Sequence, residues 1–191
     1  MSTSSPVRKA VVAGALAAVS IVLFLTPFGY IPWLSGASLT VMHVPAIIGA
    51  ALEGPVVGAL IGTIFGVTSL VKAATAPQGP IDVFFTNPLV SVLPRLLVGV
   101  VAWAVFAAFR GRARALAAAL AGIAGSLTNS ILVLGILAAY GAIPLAVAGT
   151  VFVSNSLVEA AAAAILTVGV VLAWKGIGER VGKSKLADEG K

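Results

Sequence analysis

The sequence predicts an all-α integral membrane protein, a compact bundle of six transmembrane helices with both chain ends in the cytoplasm. Three observations predict it. The chain of 191 residues is 60% hydrophobic and only 9% charged, with a mean hydropathy of +1.12. That lies outside the range of soluble globular proteins. Long apolar runs alternate with Gly- and Pro-rich turns, and the Lys and Arg residues gather on one side of the topology those runs define. One membrane domain is expected over residues 1–174, followed by a charged cytoplasmic tail over 175–191.

Residues 7–28 are the first span, headed by Arg8 and Lys9. A signal peptide shares the charged head, but its apolar part is shorter and ends at a small-residue cleavage site. Here the run continues to Thr26-Pro27 and reads as a retained helix. Ala10, Ala13, Gly14 and Ala17 recur along it at helical spacing. They make a groove for a neighbouring helix, which belongs either to the same bundle or to a partner. Residues 28–39 are a loop whose Tyr30 and Trp33 suit a membrane interface. The second span, over residues 40–52, is short at roughly 13 residues against the ~20 needed to cross. It is either tilted into the bundle or ends in protein or water rather than lipid.

Glu53-Gly54-Pro55 is a tight hinge. Gly54 supplies backbone freedom, and Pro55 fits the first position of the next helix because it has no N–H to leave unsatisfied. The third span covers residues 55–73, and Gly58, Gly62 and Gly66 stand four apart on one of its faces. Such a ladder weakens a helix in water but is a close-approach surface in a bilayer. A second loop covers 74–86, and the fourth span 87–109. A basic loop with Arg110, Arg112 and Arg114 follows, then the fifth span (115–140), a break at 141–144 and the sixth span (145–174). The tail is expected to fray.

With the N-terminus cytoplasmic, ten of the twelve Lys and Arg residues lie in cytoplasmic segments. Lys72 and Arg95 are the exceptions, inside or at the end of spans, and the three external loops carry none. The positive-inside rule accounts for the net charge of +6. It leaves no basic patch interleaved with aromatics, and so no nucleic-acid reading. The absence of cysteine excludes disulfides, thiol nucleophiles and cysteine metal sites.

Polar groups at membrane depth carry the functional signal, because burying them in hydrocarbon is unfavourable. Counting 1.5 Å per residue from the outer ends, Arg95 lies roughly 12 Å down, Asn129 roughly 16 Å and Asn155 roughly 15 Å. Ser126 flanks Asn129 at helical spacing, and Glu159 lies one turn below Asn155. Tyr30, Trp33, Asp82 and Asn87 belong to the loops above. The expectation is a polar pocket open to the outside and capped by loops. Each residue has a plainer alternative. Arg95 pairs with Glu159 as a structural ion pair, and Asn129 and Asn155 join helices. His43 packs or caps a helix start rather than touching a ligand, and it has no neighbouring Asp, Glu or His at metal-ligand spacing. Lys72 and Asp82 read as solvated loop-edge charges.

No catalytic motif is present: no metalloprotease helix, nucleophile elbow, phosphate-binding lysine loop or paired carboxylates. No metal or cofactor is expected. A chain without a nucleotide motif cannot power transport alone, and six short spans are few for a self-sufficient secondary transporter. A binding subunit served by a separate motor fits better than an enzyme. A small intramembrane enzyme pairing Glu159 with His43 and a structural assembly factor are the remaining classes.

The stretch Thr40-Val-Met-His43-Val-Pro45, with Leu52-Glu-Gly-Pro55-Val-Val-Gly58 and Thr86-Asn-Pro-Leu-Val-Ser-Val-Leu-Pro94-Arg95, resembles the substrate-specific (S) components of energy-coupling factor (ECF) transporters. The resemblance runs over about residues 7–174. It implies a six-helix vitamin binder that captures its ligand from outside, working with a transmembrane coupling protein and two cytoplasmic ATPases. It also implies that Ala13 and Ala17, with Ala10 and Gly14 beside them, dock the coupling protein. The pattern looks most like the pantothenate-type S components. Riboflavin, cobalamin, or a thiamine- or pyridoxine-like ligand are the alternatives. Arg95 would then clamp a carboxylate bidentately, with Asn129, Asn155 and Ser126 serving amide and hydroxyl groups.

Overall fold

The computed structural model describes residues 5–26, 29–32, 38–77 and 79–189. Among them, five helices are long and apolar enough to cross a membrane: Pro6–Leu25, Pro55–Thr75, Pro88–Phe109, Arg114–Ala139 and Leu145–Trp174. The first is α1, opened by Pro6 and by the Ser5 hydroxyl, which accepts the Arg8 N–H at 3.3 Å. It ends three residues earlier than the sequence suggests. Thr26 stands before Pro27, whose ring disfavours helical geometry in its predecessor, and Thr26 is extended at φ −115°, ψ 157°.

The first loop contains a small antiparallel ribbon, β1 (Tyr30–Pro32) against β2 (Ser38–Thr40), with Tyr30 opposite Thr40. The expected second span is α2, Val44–Glu53, of ten residues. At 1.5 Å per residue it is roughly 15 Å long, half the hydrocarbon thickness. Its ends lie in protein. Ala46, Ile47 and Ala50 have essentially no exposed surface, and α2 packs on α1, α3, α5, α6 and α8. It is the pin of the bundle: it starts beside the ribbon and ends at Glu53, which pairs with Arg8 at the opposite end of α1.

The turn into α3 (Pro55–Thr75) forms as expected, with Gly54 at φ 105° and Pro55 in the first turn. That φ is strained for any residue with a Cβ. The glycine strip of α3 faces inward. A Cβ on Gly62 would meet the backbone carbonyl of Arg95, and one on Gly66 would stand 2.7 Å from the Ser91 carbonyl oxygen. The strip is the seam along which α3 meets α4 (Pro88–Ser91) and α5 (Leu93–Phe109). The second loop holds a 3-10 turn over Pro80–Thr86. Asn87 then caps α4, its Oδ1 accepting the Leu89 N–H at 2.9 Å.

α6 (Arg114–Ala139) packs its small residues against α8, where Gly122 lies against the backbone of Ala163 and Ala164. The last span bends through α7 (Leu145–Val151), a π-helical turn (Phe152–Ser156) and α8 (Leu157–Glu189). α8 runs as one helix to Glu189, where fraying is expected from Lys175 onward. The core is alanine-rich, with Ala102, Ala117, Ala118, Ala121 and Ala163 fully buried. In lipid, where no hydrophobic force drives helices together, such small residues gain stability by letting backbones approach.

Candidate ligand-binding cleft

At the ribbon end of the bundle a cleft of about 240 Å³ opens between α1, α3, α5 and α6, beneath the 3-10 turn and β2. Two cations stand in its wall, Arg95 and Lys72, with one carboxylate, Asp82. Arg95 is the third residue of α5, where Pro94 fits the first turn. Its side chain is buried and clasped. A guanidinium N–H donates to the Val90 carbonyl, and the guanidinium carbon lies 5.5 Å from the Phe65 ring centre and 5.3 Å from that of Phe85. The Lys72 Nζ lies 4.8 Å from the centre of Phe24, which meets Phe65 edge-on at 5.8 Å. Lysine, two aromatic rings, arginine and a third ring thus form a continuous chain of cation–π and aromatic contacts.

Asn129 lines the same cleft as Arg95. Asn129 Oδ1, Ser126 Oγ and His43 Nε2 are buried without a hydrogen-bond partner among the described residues. Buried polar atoms are nearly always satisfied, so such a group invites a ligand or water. Ser126 and His43 are almost wholly buried and do not line the cleft. Asn155 also lies outside its wall: it is buried in the π-helical turn, with Oδ1 accepting from Ser154 Oγ at 3.1 Å.

Glu159 does not make the ion pair with Arg95 that the sequence leaves open. One carboxylate oxygen accepts both the Thr40 N–H at 2.5 Å and the Thr40 hydroxyl at 2.9 Å, tying the ribbon to α8. Replacing the carboxylate in Glu159→Leu leaves a part-buried N–H unsatisfied. Stability is expected to fall by about 1–3 kcal/mol. Thermal unfolding of the detergent-purified variant, with protease cutting within residues 30–40, measures it.

Asn87 is half-buried and acts as a helix cap, its amide nitrogen donating to the Tyr140 hydroxyl at 3.4 Å rather than facing the cleft. The Tyr30 backbone lies in the ribbon; its side chain and the whole of Trp33 fall outside the described residues. Lys72 and Asp82, expected as solvated loop-edge charges, both line the cleft. A helical stripe carries the missed signal: Phe65, Ser69 and Lys72 recur at spacings of four and three on α3.

The expected docking strip on α1 divides between two faces. Ala13 and Ala17 are buried in the core, whereas Ala10 and Gly14 are exposed, and nothing stands within 4 Å of a Cβ placed on Gly14. A groove of about 350 Å³ lies beside it, lined by Lys9, Ala10, Ala13, Glu53, Val56 and Leu60, among others. Arg8 closes that end, pairing with Glu53 at 2.9 Å and covering the Trp174 ring at 5.8 Å.

The fold is that of an integral membrane protein, a bundle of membrane-length helices around a small cleft whose wall carries two cations and one carboxylate. The family model described as ECF transporter, substrate-specific component, matches residues 8–171, and the chain belongs to that family. It is a multi-pass protein of the cell membrane that works in vitamin uptake, and it is not an enzyme. The chain is 30% identical over 189 residues to a pantothenic acid transporter PanT of Lactococcus lactis subsp. cremoris, covering 90% of this chain and 95% of that protein. It is also 34% identical over 88 residues to a pantothenate transporter PanT of Leuconostoc mesenteroides subsp. mesenteroides, covering 44% of this chain and 43% of the other.

Proposed function

We propose that this chain is the substrate-binding subunit of an ECF-type importer and that its vitamin is pantothenate. Arg95 carries the reading: a guanidinium clasped by Phe65 and Phe85 in the wall of a part-buried cleft is suited to a carboxylate. Asn129, whose Oδ1 has no partner among the described residues, offers hydrogen bonds to an amide or hydroxyl. Pantothenate presents all three groups, and the names of the relatives support it. A cationic vitamin would bring its charge against Arg95 and Lys72. The basic residues at the opposite end of the bundle support an N-in, C-in orientation, with the cleft facing outside and residues 175–191 a cytoplasmic tail. Calorimetric titration of the purified protein with pantothenate, riboflavin and thiamine tests the substrate. Saturable binding of pantothenate alone supports the reading, and binding of another vitamin alone overturns it.

The working partners are a transmembrane coupling protein and two cytoplasmic ATPases. Ala10 and Gly14 are the exposed part of α1 available to the coupling protein. A Cβ at Gly14 meets nothing within 4 Å, so Gly14→Leu adds bulk on an exposed face of α1. It is expected to keep pantothenate affinity and to lower uptake by the reconstituted importer at least about tenfold, because close helix approach depends on small residues. Unchanged uptake would remove Gly14 from the docking face.

A further inference from the structure

We infer that Asp82 determines ligand charge, admitting a monocarboxylate and rejecting the same molecule once it carries a phosphate ester. The inference rests on the pantothenate reading and deepens it. Among the described residues, the charged side chains lining the cleft are Arg95, Lys72 and Asp82, two cations and one carboxylate. Their sum is one positive charge, which a single carboxylate neutralises. Glu159, behind the cleft wall, is turned onto Thr40 and adds no lining group. Both cations are steadied by rings, Lys72 by Phe24 and Arg95 by Phe65 and Phe85.

Asp82 is held as well. It sits on the 3-10 turn over Pro80–Thr86, and its Oδ2 accepts the Gly79 N–H at 3.2 Å. The carboxylate is therefore fixed at the roof of a cleft whose floor carries Asn129. A phosphate monoester adds about 1.5 to 2 negative charges. In a cleft of about 240 Å³ those charges come within a Debye length of Asp82, whose carboxylate, held in an exposed hydrogen bond, repels them in a way that salt screens. Without Asp82 the lining would sum to two positive charges and favour the more highly charged ligand.

The test measures the affinities of the detergent-purified protein for pantothenate and for its 4′-phosphate by calorimetry, in wild type, Asp82→Asn and Asp82→Glu. Asn removes the charge and keeps an oxygen to accept the Gly79 N–H. Wild type is expected to prefer pantothenate, and the preference is expected to narrow as salt is raised. Asp82→Asn is expected to shift the affinity ratio at least about tenfold toward the phosphate ester, while Asp82→Glu keeps the wild-type ratio. An unchanged ratio in Asp82→Asn overturns the inference and leaves the pantothenate reading standing. Equal wild-type affinity for the two ligands, or a preference insensitive to salt, does the same without needing any variant to fold. Failure of wild type to bind pantothenate overturns both.

Discussion

Arg95→Ala is expected to weaken pantothenate binding by about 30- to 700-fold, the loss of roughly 2–4 kcal/mol that follows when a charge-assisted, part-buried contact is removed. The guanidinium also donates to the Val90 carbonyl and fills the space between Phe65 and Phe85, so the variant loses some stability too. Arg95→Lys separates the effects. It restores the charge without the planar fork, and its affinity is expected to fall between wild type and Arg95→Ala. Calorimetry on samples that elute as a single species reads the affinity. An Arg95→Ala protein that is folded and binds pantothenate normally would rule out the carboxylate clamp.

Gly62→Ala adds one methyl group and is expected to do disproportionate harm. That methyl would overlap the Arg95 backbone carbonyl, so α5 must move away from α3 along the whole seam. Overpacking of this kind costs about 1–3 kcal/mol. Here the displaced residue is also the one proposed to hold the ligand, so affinity is expected to fall about tenfold along with stability. Gly14→Ala is the control, since a Cβ there meets nothing within 4 Å; its stability is expected to stay within about 0.5 kcal/mol of wild type. Paired thermal unfolding and pantothenate titration check both. Equal stability of the two variants would mean that the seam yields without strain.

The face of a helix on which a polar residue lies was not readable from the sequence. Arg95, Asn129 and Asn155 were expected at similar depth, yet only the first two line the cleft. The reason lies in the solvent. A soluble helix shows its inner face by an apolar stripe, whereas a helix in lipid is apolar all round and hides which face meets protein. Ala13 and Ala17 illustrate this: their spacing marks a close-packing face, and only the structure shows that it meets the bundle's own core. The glycine strip of α3 was legible for the opposite reason, since glycine recurring every turn has few uses besides close approach. Lys72 and Asp82 flank a loop, and the fold of that loop brings them into the cleft. The shortness of α2 was visible, and its burial on every side accounts for it.

The clasp around Arg95 has an entropic consequence. A free arginine side chain explores many rotamers and loses about 2 kcal/mol of that freedom when it is immobilised. In this chain the loss has already been taken at folding, because two rings and a backbone carbonyl hold the guanidinium before anything enters the cleft. An arriving anion therefore meets a group already in place, and more of the contact energy is retained as affinity.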